Sequence, residues 1–461
     1  MSEIRSPLDD SGIHPTRKRP ISLSRMLESI LEAGRDILER RRTNKKPRSG
    51  QPEELGEQCR ELLNHRGEAS GLFLASEILA AYEALPPEGR AFFFELLNRD
   101  FSADPDAVIR AVELYRREPG FERLAAVAKA VEAPRQKLFR RLNMAPGGTS
   151  RLVAMRGHLL AVLKERPELR PLDSDLRHLL IAWFNKGFLI LDRIDWSSSA
   201  RVLEKIIEYE AVHEINGWED LHGRLEDDRR CFAFFHPAMP DDPLIFVEVA
   251  LTNRNATAIQ PLIASDRKTE DARKADTATF YSISNCHRGL QGISFGNFLI
   301  KQVTEELRRD LENIKHFETL SPVSGFRRWL ESTVTDEEYS DSLLEDLRSG
   351  TEFLRSPPDS AESESSEQAR DVLLRLCAHY LLREKRDGEP LDSVARFHLG
   401  NGATLERINW AADDSPTGVD RSAGMMVNYV YDLDEIEKNH EAYFADGQIA
   451  ASSTVRKLAK R

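Results

Sequence analysis

Residues Gly292-Ile293-Ser294-Phe295-Gly296 spell G-x-S-x-G. In one class of hydrolases that pattern is the sharp strand-to-helix turn presenting a nucleophilic serine. Such an elbow needs an apolar strand that runs almost directly into the serine. Here the strand-like TATFYSIS, residues 277–284, is separated from Gly292 by the seven residues NCHRGLQ. That connection is too long, so Ser294 is not expected to be a nucleophile. The same stretch reads differently as a strand, then Gly289, Gly292 and Gly296, then a helix start. Glycines let backbone N–H groups approach an anion, and a helix N-terminus adds unpaired donors and partial positive charge. That is a cradle for a pyrophosphate. Neither GxxxxGK[ST] nor GxGxxG occurs in this loop, which disfavours nucleoside triphosphates and dinucleotides. Coenzyme A also carries a diphosphate and requires no Walker lysine. A plain strand–helix connection fits the spacing equally well.

Other groups of suitable type carry less. His236, before Pro237 at a strand end, reads as a turn cap, and His287 as facing solvent or a ligand phosphate. Asp413-Asp414 and the set Asp432, Asp434 and Glu435 read as solvated loop acids. CxxC, HExxH and EF-hand spacings are absent, so no metal site is expected. The four cysteines, Cys59, Cys231, Cys286 and Cys377, lie far apart, as reduced cytosolic thiols do. Nothing around Cys286 predicts a lowered thiol pKa.

The remaining chain has to position these groups. Its 461 residues are 40% hydrophobic and 31% charged, as in a folded protein of two or three domains. A net charge of −12 argues against nucleic-acid binding. The basic runs Arg17-Lys18-Arg19, Arg40-Arg41-Arg42 and Lys45-Lys46 read as a solvated tail and a charged helix face. No window is apolar enough to span a membrane, and the polar N-terminus is unlike a signal peptide. The last three residues, Ala459-Lys460-Arg461, are no peroxisomal address. A cytoplasmic protein is expected.

Residues 1 to about 22 have a disordered composition, and from there to Gly187 the pattern is helical. Asp104-Pro105 marks a capped helix start, followed by the stripe Val108, Val112 and Tyr115; Leu152, Met155, Leu159 and Leu163 repeat it. Those stripes predict core or a subunit interface. After about residue 190 strand-like runs appear: CFAFFH from Cys231, PLIFVEVAL from Pro243, TATFYSIS from Thr277, HFETLSP ending near Ser321, ATLERINWA from Ala403 and GMMVNYVYDL from Gly424. Residues 333–368 are acidic and serine-rich and read as an insertion or mobile loop. The expected fold class is therefore α followed by α/β or α+β: a helical bundle over 1–187, then a mixed domain over 188–461.

Four long stretches decide between these possibilities: FHPAMPDDPLIFVEVALT (235–252), FYSISNCHRGLQGISFGNFLIKQV (280–303), FETLSPVSGFRRWL (317–330) and VARFHLGNGATLERINWAADDSPTGVDRSAGMMVNYVY (394–431). Together they resemble the malonyl-CoA decarboxylase family, strongly over about 180–445 and more loosely before. The resemblance implies a catalytic half with a GNAT-type acyltransferase fold. It implies conversion of malonyl-CoA to acetyl-CoA and carbon dioxide without metal or organic cofactor, and homotetramers, as dimers of dimers, built through the helical half. It implies that Gln291, Gly292, Ile293, Ser294, Phe295, Gly296 and Asn297 line the substrate, the loop taking its pyrophosphate. It assigns catalysis to Ser321, in TLSPVSGF, and His398, in ARFHLGNG, with Tyr431 supporting the pair. Ser321 would engage the malonyl carboxylate or thioester, and His398 would protonate the enolate. An acyltransferase or thioester hydrolase on the same scaffold is the alternative, with Ser321 and His398 as nucleophile and base.

Overall fold

The computed structural model describes residues 29–37, 52–293, 298–333, 339–355 and 364–460. Two compact units emerge: residues 1–180 together with 288–291, and residues 181–287 together with 292–461.

The first unit is helical. Helices Pro52–Asn64, Pro87–Asp100, Pro105–Arg117 and Pro134–Asn143 open on proline, whose missing N–H costs nothing in a first turn. Asp104 caps Pro105–Arg117, accepting from the Asp106 N–H at 3.0 Å. Leu74, Ile78, Phe93, Phe94, Leu138 and Leu142 are buried with Leu152, Met155 and Leu159, so the second expected stripe is core. Leu163 falls just beyond the helix Gly148–Val162 and is only half-buried. The first stripe differs. Helix Pro105–Arg117 and its neighbour Phe121–Val131 pack on each other but bury no residue. Ile109, Phe121, Leu124 and Val131 are each more than half exposed.

The turn Arg288–Leu290 belongs to this unit because helix Gly148–Val162 holds it. Arg156 donates through one guanidinium nitrogen to the carbonyls of Gly289 at 2.7 Å and Gln291 at 2.9 Å. Its Nε donates to Asp173 at 2.8 Å. Gly289 lies so close to the Val153 carbonyl that any Cβ would collide with it. Here the glycine serves helix packing.

In the second unit, eight strands form one sheet among the described residues. They are β1 (Ile190–Ile194), β2 (Arg229–Phe235), β3 (Ile245–Thr252), β4 (Thr277–Asn285), β5 (His316–Thr319), β6 (Ser321–Pro322), β9 (Thr404–Asn409) and β10 (Met426–Val430). The pair β7 (Lys385–Arg386) and β8 (Glu389–Pro390) is a separate hairpin. The order is β1-β2-β3-β4-β5-β10-β6, with β9 also on β10. β2 is buried at every position and β3 at all but its last, as strands covered on both faces are. Val202, Leu203 and Ile206 pack with Cys231, Ala233, Phe235 and Phe246 in one core. Ile259 and Leu262 pack with Ala250, Tyr281, Leu320 and Met426 in another.

β4 and β5 are the parallel pair, joined through the glycine loop and helix Phe298–Asp310. Their pairing runs from Thr277 opposite His316 only to Phe280 opposite Thr319. Leu320 makes one more bond, N–H to the Phe280 carbonyl at 2.9 Å. The chain then continues as β6, which pairs with β10 instead. From Tyr281 onward β4 keeps β3 on one side and, among the described residues, has no strand on the other.

The acidic segment 333–368 is corrected in part. Asp341–Arg355 is a helix, and the next helix already begins at Glu364. Leu347 is fully buried, Gly350 packs against Leu373 and Leu376, and Asp346 pairs with Arg375 at 2.8 Å. The acid-rich composition hides an apolar stripe, Leu343, Leu347 and Gly350, at helical spacing.

Candidate active site

The opening beside β4 is a cavity of about 410 Å³. Ser282, Ile283 and Asn285 of β4 line one side; Ser321, Phe397 and His398 stand on another. Register places the polar groups. Val430 of β10 lies opposite Glu318 and Val427 opposite Ser321, so Thr319 falls opposite Tyr429 in the same register. Side chains two apart on a strand share a face. Thr319 and Ser321 therefore share one with Tyr429 and Tyr431.

His398 arrives from helix Ser393–Gly400. Its N-cap, Asp392, accepts from the N–H groups of Val394 at 3.0 Å and Ala395 at 2.8 Å. Burial raises the Asp392 carboxyl, against the pull of those backbone donors. The imidazole stacks on Tyr429, with ring centres 4.6 Å apart and 22° between planes. Its Nδ1 lies 2.7 Å from the Tyr431 hydroxyl and its Nε2 lies 3.2 Å from Ser321 Oγ. Ser321 donates to Thr319 Oγ1 at 2.9 Å. Ser321, His398 and Tyr431 are all buried. Burial drives His398 down to about 3 and Tyr431 well above its usual value. The imidazole is neutral at ordinary pH, and a neutral ring bonded at both nitrogens can pass a proton along a line.

The structure thus brings together Ser321, His398 and Tyr431. Of the expected loop residues, Gln291 is exposed and offers its carbonyl to Arg156; Gly292 has φ +75 and is exposed; Ile293 is buried. Gly292 and Ile293 do not line the cavity. Ser294, Phe295, Gly296 and Asn297 lie outside the described residues.

Two expectations are corrected. His287 does not face solvent: its side chain is 12% exposed, packed edge-on against Tyr209 and 3.6 Å from Asp242. Asp413 is not a solvated loop acid. It is buried beside the cavity, accepts from the Ser415 N–H at 3.0 Å and is covered by Gly418, where a Cβ would strike the carboxylate. His236 does cap a turn, lying 3.1 Å from both the Ala238 N–H and the Trp183 carbonyl. Sequence reasoning missed Thr319 and Tyr429. Their spacing of two from Ser321 and Tyr431 is the signal that could have found them.

The profile of the malonyl-CoA decarboxylase C-terminal domain matches residues 187–461, and that of the malonyl-CoA decarboxylase N-terminal domain matches residues 101–184. A mitochondrial malonyl-CoA decarboxylase of Anser anser anser is 38% identical over 413 residues, 83% of this chain and 82% of that protein. The counterpart from Rattus norvegicus is 38% identical over 344 residues, 70% of each. Among solved structures, a malonyl-CoA decarboxylase from Rhodopseudomonas palustris is similar at TM-score 0.84 and 48% identity, covering 89% of this chain and 100% of that one. One from Agrobacterium vitis is similar at TM-score 0.82 and 46% identity, covering 88% and 100%.

Proposed function

The chain belongs to the malonyl-CoA decarboxylase family, and from that premise we propose that it converts malonyl-CoA to acetyl-CoA and carbon dioxide at the Ser321–His398–Tyr431 line. The observation that carries this reading is that line, 3.2 and 2.7 Å long, whose Ser321 and His398 border a cavity opened where β4 leaves β5. The unpaired edge of β4 suits an extended amide-bearing arm such as pantetheine, which can bond to the free backbone groups as an added strand would. The resemblance assigns the pyrophosphate to the glycine loop at 291–297, where glycines would let main-chain N–H groups approach an anion.

Decarboxylation breaks the bond between the carboxylate carbon and the methylene carbon. The electron pair moves onto the thioester oxygen as an enolate, and carbon dioxide leaves. Because the thioester is itself the electron sink, the step needs no metal or organic cofactor. Ser321 engages the carboxylate or thioester oxygen, a task of the oxyanion-hole kind. His398 then delivers a proton to the enolate carbon, and Tyr431 supplies the opposite ring nitrogen, with solvent restoring the proton. A neutral imidazole suffices, because a thioester enolate carbon is far more basic than an imidazole anion.

The exposed apolar faces of Pro105–Arg117 and Phe121–Val131 support self-association; a tetramer arranged as a dimer of dimers is the assembly that the family resemblance implies. A cytoplasmic location is supported by four free, buried cysteines. Among the described residues no helix is long and apolar enough to cross a membrane.

Incubation of the purified protein with malonyl-CoA should release acetyl-CoA and carbon dioxide in equal amounts, and Ser321→Ala should lose most turnover while remaining folded. Free coenzyme A as the main product would replace this reading with thioester hydrolysis.

A further inference from the structure

Ser321 has one hydroxyl proton and two neighbours able to accept it, Thr319 Oγ1 and His398 Nε2. The geometry has Ser321 donating to Thr319, at 2.9 Å the shorter of the two contacts. Thr319 is fully buried, and its Oγ1 also accepts from the Tyr429 N–H at 3.3 Å. With Ser321 donating away from the ring, it can only accept from the imidazole. The Nε2 atom must then carry hydrogen, and Nδ1, bare, accepts from the Tyr431 hydroxyl at 2.7 Å. Three protons of the line then run one way: Tyr431 to Nδ1, Nε2 to Ser321, Ser321 to Thr319.

The alternative arrangement reverses all of them. If Ser321 donated to Nε2, the hydrogen would sit on Nδ1 and point at Tyr431. Ser321 lines the cavity and Tyr431 does not, so only the first arrangement stores a transferable proton on the cavity side. We propose that Thr319 is a positioning residue that fixes His398 as the Nε2–H tautomer by drawing the Ser321 proton away from it. When substrate oxygen claims the Ser321 proton instead, the tautomer is unchanged, because that proton again points away from the ring. The same arrangement leaves Ser321 without an accepting base at Nε2, which disfavours it as a nucleophile.

This inference deepens the decarboxylase reading and rests on His398 being the proton donor. The test combines kinetics with nitrogen-15 spectra of the histidines, the His398 signals being those missing from His398→Asn. The wild-type resting protein should show hydrogen on Nε2 of His398; hydrogen on Nδ1 overturns the proposal without any variant. Thr319→Val should lower kcat by roughly tenfold or more, leave KM within about twofold, and move the hydrogen to Nδ1. Thr319→Ser should restore both kcat and the Nε2 signal. If folded Thr319→Val keeps wild-type kcat and the Nε2 tautomer, or if it loses activity with the tautomer unmoved, Thr319 does not act in this way. Failure of the underlying reading is distinguishable: His398→Asn would then retain full turnover, whatever the tautomer in the resting protein.

Discussion

His398 and His213 are both buried in the second unit, 2% and 7% exposed, and burial drives both down, to about 3 and about 4. Their surroundings differ. His398 has a hydroxyl at each ring nitrogen, an aromatic ring on its face and a cavity beside it. His213 sits among fixed charges. Its backbone N–H donates to Glu210, which also accepts from Ser282 and from Ser284. The nearby Arg224 donates to Glu248 at 3.0 Å and to the His213 carbonyl at 3.3 Å. The His213 Nε2 is buried without a hydrogen-bond partner among the described residues. A depressed histidine pKa therefore reports chiefly loss of water and does not by itself mark a proton donor. What separates a proton donor from a structural ring is a partner on each nitrogen and a route to substrate.

The largest effect should come from exchanging the two roles. Steady-state kinetics of His398→Asn should show kcat lower by about 10²- to 10⁴-fold, the usual contribution of a positioned general acid, with KM little changed. His213→Gln should stay within a few-fold of wild type. A folded His213→Gln that loses as much turnover as His398→Asn would erase the distinction.

The next effect belongs to the charged cluster and should appear in stability. Burial pushes the Glu248 carboxyl up while Arg224, 3.0 Å away, pulls it down, and Arg224, losing water itself, is held above its usual value by Glu248 and its other acidic neighbours. Both directions describe a buried pair that depends on its partner. Arg224→Met should cost about 3–5 kcal/mol in denaturant unfolding by leaving Glu248 alone. Whatever protein remains folded should keep near-normal kcat. Loss of kcat in fully folded protein would join the cluster to the chemistry and blur the comparison.

The same contrast explains what could be read from the chain. The strands β2, β3, β4 and β10 are apolar runs, legible by composition and period. β1 was missed because an edge strand with Asp192 and Arg193 exposed lacks that signal. The helix Asp341–Arg355 was hidden by its acids. In the site, the glycine loop stood out because its chemistry is local, although residues 294–297 fall outside the described structure. Ser321 and His398 are 77 residues apart. Only the β5–β10–β6 register and the capped helix at Asp392 bring them together, and neither is written in the residues next to them. Resemblance to a family located that pair; local spacing could not. Thr319 carried no signal beyond being two residues from Ser321.

The smallest effect separates folding from turnover by pH. A histidine whose folded pKa is depressed binds its proton in the unfolded chain first. Each such ring therefore stabilises the fold relatively less as pH falls below about 6.5, until the folded state also protonates, near 4 for His213 and near 3 for His398. Between pH 7 and pH 6 each ring should remove on the order of 0.7 kcal/mol of unfolding free energy. His213→Gln should make the fall in stability with acid shallower by that amount in paired denaturation curves. Turnover of the folded enzyme should show no step near 6.5 from His398, since its neutral form persists throughout that range. A histidine-like step in kcat that disappears in His398→Asn would mean that the imidazolium is the working acid, and the contrast between a relay of neutral groups and a cluster of charges would fail at its catalytic end.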